Sequence, residues 1–346
     1  ATITPLPETA RMKPVFFPYQ LERLSGNVTY RDGEIDLSGM RAEHDATIIG
    51  TNGDGRFDAD GSWYVTLKGL TVDGIRPRHN QLLAALPRPL SLLISQIYRS
   101  GNFRIHNGVM RFAKAASPIA PLIADWDVQL ECFMANLQCG VELKNIHGSA
   151  RLRGRFDGQQ SQTLGDLDLD SVTFQDVQFT NVRGPFWADQ GRFLLGRDAA
   201  QPRGEQPTPT VANAYGGIVE AEATVEFLSL PKYSARARVR NADLHRVVTE
   251  RFGDDTQFRG LVDANVAVEG SGRYLVGLRG AGDVHIHDAE MYEHSLLLGM
   301  LKLLRNRVPD TTAFNQSVVK FRLQGKDIFL DQLDFLGDAV SPVSYT

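Results

Sequence analysis

Length, composition and charge exclude several classes of protein. The chain has 346 residues, of which 42% are hydrophobic and 23% are charged, so it is able to bury a core. Its formal net charge of −4 and its lack of Lys/Arg clusters interleaved with aromatic residues argue against a nucleic-acid partner. No apolar stretch approaches the ~20 residues of a membrane-spanning helix, and because the chain begins at Ala1 without an initiator Met, we expect it to be cut from a longer protein.

The first predicted elements are the two strands of a hairpin, at residues 26–30 and 34–37. Apolar and polar residues alternate in both segments, as they do in strands with one buried face. The Asp32-Gly33 pair between them is a favoured two-residue turn. Later strand pairs also begin with a glycine: Gly148, Gly260 and Gly282. A second recurring element, at 67–74, 141–147, 172–182 and 239–244, is predicted to be a strand that ends in an Asn, Asp or Gly turn.

Short apolar helices are predicted near residues 78–98. Leu90, Leu93 and Ile97 recur at helical spacing, and Pro89 suits the first turn of a helix. A helix this apolar must lie against an apolar surface. It is either a plug over the open end or face of a sheet, or a lid, gate or membrane-contacting element.

Cys132 and Cys139 are the two cysteines of the chain. A two-residue turn at Ala135-Asn136 would place them opposite each other on neighbouring strands, at a Cα separation of ~5.5 Å that a disulfide is able to span. A disulfide would indicate an oxidising compartment such as the periplasm. Two buried free thiols agree equally well with the sequence, so both alternatives stay open.

The clearest strand pair spans residues 217–240. Its first strand alternates glutamates with small apolar residues, namely Val219, Ala221, Ala223 and Val225. The return strand alternates arginines with Ala235, Ala237 and Val239. A turn symmetric about Pro231 would pair Glu226 with Arg236 and Glu222 with Arg240 across the two strands. This hairpin therefore predicts one apolar face and one charged face.

The same alternation continues beyond residue 260. The apolar positions of these strands are Val262, Ala264, Val266, Val268, Val284 and Ile286. His285 and His287 fall on the other side, and with His294 nearby their spacing suits a metal ligand set. Histidines that point outward from a strand are more often solvated, so we predict no metal site. No cluster of acids or nucleophiles forms a catalytic pattern, and we predict no enzymatic activity.

A leucine-rich helix is predicted near residues 295–305. Ser295 suits its N-cap, and Arg305 and Arg307 follow its last turn, as expected at a helix C-terminus. This helix has the same two interpretations as the helices near 78–98, a plug or a lid. The residues predicted to contact the sheet are Leu296, Leu297, Met300, Leu301 and Leu304.

The recurrence of strand pairs predicts the architecture. Similar units return at irregular spacing, very roughly 35–45 residues apart, as in an elongated array. We therefore predict a mainly β protein: a long, curved antiparallel sheet, a trough- or taco-like array of repeated strand pairs, with two or three short apolar helices. We divide the chain into N-terminal repeats with helices at 1–115, central repeats ending in a flexible Pro-rich loop at 116–210, and a C-terminal region at 211–346.

The C-terminal region resembles a known family. A glycine-led strand at 280–290, the leucine-rich helix and a strand hairpin at 321–333 follow the plan of the AsmA-like C-terminal region. The segments 82–98 and 102–112 resemble the AsmA-like repeats of YhdP-type proteins. The chain is therefore similar to the AsmA, YhdP and TamB-type envelope proteins of the bridge-like lipid transfer superfamily.

The resemblance implies a location and a function. It implies a periplasmic body, tethered to the inner membrane by a segment absent from this chain. It also implies that the body moves phospholipid or another acyl lipid between the inner and outer membranes, in outer-membrane biogenesis. Membrane proteins at either membrane are the implied partners, and no cofactor is implied.

The strands themselves suit an acyl ligand, because small apolar residues leave room inside a curved sheet and an acyl chain needs no polar contacts. The predicted groove residues are Val219, Ala221, Ala223, Val225, Ala235, Ala237, Val239, Val262, Ala264, Val266, Val268, Val284 and Ile286. The alternative is a structural or adhesive secreted β-protein in which these residues form a closed core between two sheets.

Overall fold

The structure is a computed structural model that describes residues 1–14, 18–75, 84–85, 95, 98–138, 142–200, 208–227, 229–252, 259–272, 275–290, 316–337 and 340–345. In this part of the chain, nineteen strands form one sheet. The prediction of a mainly β protein built on a long antiparallel sheet is confirmed.

The strands follow one another in chain order. The first ten are β1 (Thr2–Ile3), β2 (Glu22–Arg31), β3 (Glu34–His44), β4 (Thr47–Phe57), β5 (Trp63–Ile75), β6 (Tyr98–Lys114), β7 (Ile123–Gln138), β8 (Glu142–Phe156), β9 (Ser161–Phe174) and β10 (Val177–Asp189). The others are β11 (Arg192–Leu195), β12 (Thr210–Ala214), β13 (Gly217–Glu226), β14 (Lys232–Asp243), β15 (Arg259–Ser271), β16 (Arg279–Glu290), β17 (Gln316–Gln324), β18 (Asp327–Gly337) and β19 (Val340–Tyr345). Helix α1 is Arg197–Ala200, helix α2 is Leu244–Phe252, and a 3₁₀ turn covers Leu275–Gly277.

Strands β11 and β12 share one position in the sheet. Both pair with β10 on one side and with β13 on the other. Leu195, the last residue of β11, faces Ala223 of β13. Thr210, the first residue of β12, faces Ala221, two residues before Ala223 in β13. β11 and β12 therefore act as two halves of one strand. The segment between them, which includes α1, is an insertion that interrupts this strand. All other consecutive strands pair with each other as antiparallel neighbours.

Connections alternate between the two ends of the sheet, because successive strands run in opposite directions. The hairpin end carries the Asp32-Gly33 turn and the loop at 227–231, and the helix end carries α2. The connections at 76–97 and 291–315 also leave from the helix end.

The helices predicted from apolar spacing fall in these two helix-end connections. Ala84, Ala85 and Ser95 are helical, whereas Tyr98 already begins β6. The other residues of the predicted helices near 78–98, and the whole predicted helix near 295–305, lie outside the described residues.

The strand ends predicted for 67–74 and 239–244 agree with the ends of β5 and β14, whereas β8 runs on past 147 and the segment 172–182 contains the turn between β9 and β10, so the strand ends predicted at 147 and 182 are wrong. Long strands also run through several Asn, Asp and Gly residues. These residues have φ between 45° and 59° within strands: Gly39, Gly69, Asn107, Asn145, Asn181, Asn241 and Asp288. The strand pairing shifts register at each of them, which identifies β-bulges. A bulge adds one residue, so apolar residues three apart return to the same face.

Several bulges share one stabilising contact. A side-chain oxygen on the neighbouring strand accepts the backbone N–H of the bulged residue, and the pairs are Gly39 with Asn52 at 2.8 Å, Asn145 with Asn136 at 2.9 Å and Asn241 with Asp263 at 2.8 Å. The residues that follow the bulges are buried on the apolar face, including Leu70, Ile146, Val182 and Ala242. The bulges therefore keep the apolar residues of the long strands on the apolar face on both sides of each bulge.

The hairpin between β13 and β14 has a different register from the predicted one. Glu226 faces Lys232 and Glu222 faces Arg236, so the predicted pairs of Glu226 with Arg236 and of Glu222 with Arg240 are wrong. The loop is centred two residues before Pro231, at Ser229. Proline has no N–H to give to a ladder, and here it directly precedes the first residue of β14.

Helix α2 covers part of the apolar face at the helix end. Asp243 caps it, because its Oδ1 accepts the backbone N–H groups of His245 at 2.9 Å and Arg246 at 3.3 Å. Leu244 is buried in a cluster with Ala242 and Val262, against which partly buried Val248, Val284 and Ile286 also pack. The sequence pattern did not predict this helix.

Candidate binding face

Small and apolar residues, with Thr210 the one polar member, line up across the sheet in one row, which we call the long apolar row. It runs from β3 to β18, and each member faces or contacts the next one on the neighbouring strand. Its members are Ala42, Ile49, Val72, Ile105, Leu130, Ala150, Leu167, Gly184, Thr210, Ala221, Ala237, Val266, Gly282, Phe321 and Leu330. With neighbouring strands ~4.8 Å apart, the row is about 65 Å long.

A second apolar row runs beside the first, on the side of the hairpin end. Its members are Val128, Leu152, Gly165, Phe186, Leu195, Ala223, Ala235, Val268, Gly280, Leu323 and Ile328. The two rows share the apolar face of the sheet. Mostly polar and charged side chains occupy the intervening positions, which form the charged face.

The predicted groove residues lie together on the apolar face. Ala221, Ala237 and Val266 belong to the long apolar row, and Ala223, Ala235 and Val268 belong to the second row. A third row nearer the helix end consists of Val219, Val239, Ala264 and Val284. Val262 and Ile286 lie beside Ala242, and Val225 lies opposite Tyr233. The sequence pattern missed Gly280, Gly282, Phe321 and Leu330, although the alternation in 317–323 would have placed Phe321 on this face.

Exposure of the apolar face rises toward β18. Val219 is 4% exposed and belongs to a buried cluster that spans β7 to β13. Ile328 and Leu330, the last members of the two rows, are 65% and 64% exposed. Wherever the structure describes the chain, strands in extensive contact are hydrogen-bonded neighbours, so no second sheet layer covers this face.

Aromatic side chains lie over glycines of the same face. The pairs are Trp126 over Gly154, Phe186 over Gly165, Tyr233 over Gly270 and Phe321 over Gly282. A Cβ at Gly282 would lie 2.6 Å from Cζ of Phe321, so the ring occupies the space of the missing side chain. In each pair, the aromatic ring fills the space above the glycine and lies over the sheet instead of projecting away from it.

The charged face is covered by cross-strand ion pairs. Arg151 donates two hydrogen bonds to Asp127, at 3.0 and 2.9 Å, and this contact lowers the pKa of Asp127. His287 lies here beside two carboxylates, with Nδ1 3.2 Å from Asp288 and Nε2 3.6 Å from Asp263. Among the described residues, no group of three or more His, Cys, Asp or Glu is arranged to hold a metal ion, and His294 lies outside them.

The predicted opposition of Cys132 and Cys139 is wrong. Ala135 and Asn136 continue strand β7 instead of forming a turn, and Cys132 faces Gly148 of β8. Cys132 is a free thiol whose pKa is raised to about 11 by burial, and Cys139 lies outside the described residues.

The residues predicted for the lid or plug helix also lie outside the described part of the chain: Leu296, Leu297, Met300, Leu301 and Leu304. No helix in the described part is both long and apolar enough to cross a membrane. Comparison with family models, with curated proteins and with solved structures finds no match to this chain.

Proposed function

We propose that this chain is a non-enzymatic lipid-handling part of the cell envelope, and that its apolar face binds or conducts phospholipid or another acyl lipid. The observation that supports this best is the long apolar row, which crosses the sheet from β3 and ends in Leu330 at 64% exposure. The exposed end of this row is unfavourable in water, and an acyl chain would shield it.

The chemistry of the face suits a ligand that slides. Between β13 and β16 the two apolar rows consist of Ala, Val and Gly, which offer no hydrogen bonds to fix a ligand in place. The resemblance to AsmA-like proteins supports a periplasmic body tethered to the inner membrane, with membrane proteins at the inner or outer membrane as partners. It also supports a role in outer-membrane biogenesis.

A structural or adhesive secreted β-protein is the second candidate. The buried cluster of Ala135, Ile146, Leu169, Val182, Ala212, Ala214 and Val219 favours it, because these side chains already shield each other from water. The two candidates differ in whether the face between β13 and β18 accepts lipid.

Lipid content of the purified protein tests the proposal. The chain is expressed in a Gram-negative periplasm, and native mass spectrometry with lipid extraction is applied to wild type and to the double variant Ala223→Asp/Val266→Asp. The matched control is Ile218→Asp/Ala281→Asp, because both of these residues are exposed on the charged face and face Arg240 and Arg322. Circular dichroism checks that all three proteins are folded.

We expect phospholipid with wild type and with the control, and none with a folded Ala223→Asp/Val266→Asp variant. Two carboxylates on the apolar face would have to be desolvated by an acyl chain, which is strongly unfavourable. A wild type without lipid, together with an apolar-face variant that unfolds, would instead support the closed core of a structural protein.

A further inference from the structure

Three exposed apolar side chains lie on neighbouring connections at the hairpin end of the sheet. They are Leu230 in the loop between β13 and β14, Val276 in the 3₁₀ turn between β15 and β16, and Ile328, the second residue of β18. Their exposed fractions are 57%, 79% and 65%. Exposed apolar side chains that are grouped in this way indicate a contact surface, whereas scattered ones do not.

Backbone hydrogen bonds join these connections into one edge. The N–H of Gly272 donates to the carbonyl oxygen of Pro231 at 2.8 Å, and the N–H of Gly325 donates to that of Leu278 at 2.8 Å. We call this edge the apolar rim, and it comprises residues 229–231, 272, 275–278 and 325–328. Consecutive connections are two strands apart, so the three apolar side chains are distributed along about 20 Å of the sheet.

Each of the three side chains is close in sequence to a basic residue. The basic residues are Lys232, Arg273, Arg279 and Lys326. Three acidic residues offset most of this charge: Glu226, which faces Lys232; Glu269, which faces Arg279; and Asp327, which adjoins Lys326. Apolar residues flanked by Lys and Arg are typical of segments that lie in the interface of a bilayer, where the basic groups reach the lipid phosphates.

The spacing of the apolar side chains also favours a bilayer over a protein partner. Neighbouring members of the rim are about 10 Å apart on separate connections. A fluid layer of lipid adapts to side chains at this spacing, whereas a protein would need a complementary pocket for each of them. The rim is also continuous with the apolar face, because Ile328 is the last member of the second apolar row.

We propose that the apolar rim binds the surface of a lipid bilayer. Leu230, Val276 and Ile328 insert between the headgroups, and the basic residues beside them lie at the level of the phosphates. The inserted Ile328 then joins the bilayer to the apolar face of the sheet. This inference goes beyond the proposed function, because it assigns a bilayer contact to one edge of the sheet whether or not the apolar face carries lipid.

Vesicle flotation tests the proposal with phosphatidylcholine vesicles. Wild type is compared with Leu230→Asp/Val276→Asp/Ile328→Asp and with a control that adds the same three charges elsewhere, Val109→Asp/Ile119→Asp/Ile218→Asp. The control residues are 42%, 93% and 47% exposed and lie outside the rim. We expect wild type and control to float with the vesicles and the rim variant to bind at least about tenfold more weakly, because carboxylates resist transfer out of water.

A second set of vesicles contains anionic phosphatidylglycerol as well. Because the acidic residues offset most of the basic charge at the rim, we expect it to strengthen binding of wild type by about fivefold or less. Binding that requires phosphatidylglycerol would assign the contact to charge alone and overturn the inference. An equal loss in the control, or flotation of the rim variant as complete as that of wild type, would overturn it too.

A fluorescent reporter tests insertion without removing any apolar side chain. We expect Val276→Trp to shift its emission to the blue with phosphatidylcholine vesicles and to be quenched by brominated acyl chains, whereas Ile218→Trp on the charged face does neither. A reporter at Val276 that stays unquenched would contradict the proposal even if the triple rim variant were unfolded by circular dichroism.

The apolar-face variant Ala223→Asp/Val266→Asp separates this inference from the proposed function. It should lose bound phospholipid and still float with vesicles, because its rim is unchanged. Wild type that carries phospholipid and does not float would overturn the bilayer contact alone. Wild type that floats and carries no phospholipid would leave the bilayer contact supported and contradict the proposed lipid binding by the apolar face.

Discussion

The smoothness of the apolar face depends on single glycines that lie beneath large side chains. Gly165 is the most constrained of them, because a Cβ there would overlap the ring of Phe186 and lie 2.7 Å from the backbone oxygen of Arg151. Phe186 is itself buried, and the Arg151 backbone is fixed in the ladder between β8 and β9. Neither neighbour has free space to move into.

We expect Gly165→Ala to lower the free energy of unfolding by about 1–3 kcal/mol, the usual cost of overpacking. Urea denaturation measures the change. The control is Gly191→Ala, because the nearest atom to a Cβ at Gly191 is Oδ1 of Asp189 at 3.7 Å, an ordinary contact. Its unfolding free energy should stay within about 0.5 kcal/mol of wild type. Equal values for the two variants would show that the Phe186 ring moves aside at little cost.

The alternation of residue types predicts on which face of the sheet a side chain lies, but not which residue of the neighbouring strand it contacts. Alternation between glutamate and small apolar residues was enough to place Ala221 and Ala223 on the apolar face. The contact between Gly165 and Phe186 requires the register of β9 against β10, which turn geometry and bulges set and which composition does not reveal.

Among the elements, the bulges of the long strands are the feature most open to test. Asn241 has φ of 53°, and its N–H is accepted by Oδ1 of Asp263. We expect Asp263→Ala to lower the free energy of unfolding by about 1–2 kcal/mol, because the bulged N–H loses its acceptor. Asp263→Asn keeps an oxygen at this place and should lie close to wild type in urea denaturation.

The comparison between these two variants identifies the cause. A loss of stability with Asp263→Asn as large as with Asp263→Ala would assign the effect to the charge of Asp263, which also lies 3.6 Å from Nε2 of His287. The bulge contact would then have no measurable role.

Strand pairs and their faces could be predicted from sequence, whereas some strand ends, such as that of β8, could not. Asn, Asp and Gly favour φ near +50° both in turns and in bulges, so Asn145 gives the same local signal whether or not the strand continues. Whether such a residue forms a turn or a bulge depends on whether the neighbouring strand provides a hydrogen-bond acceptor for its N–H, as Asn136 does for Asn145. Helix α2 was missed because its cap, Asp243, ends a strand that already matched the alternation.

At the scale of the whole molecule, stability is a nearest-neighbour property. Each strand in the described part contacts chiefly the strands beside it, as repeats do in elongated arrays. Buried residues concentrate between β7 and β13, whereas β18 carries the exposed Ile328 and Leu330. Such a sheet does not need to unfold in a single step, and its least buried strands are expected to open first.

Hydrogen exchange followed by mass spectrometry tests this order. We expect the amides of β18 to exchange faster than those of β8 and β9, although all three strands are hydrogen-bonded on both sides. The difference arises because opening β18 exposes little apolar surface that is not exposed already, while opening β8 breaks up the buried cluster around Ile146. Added phospholipid should slow exchange between β13 and β16, where the rows consist of small residues, and leave β2 and β3 unchanged. Uniform exchange across all of these strands, with or without lipid, would mean that the sheet behaves as one cooperative unit with a closed core.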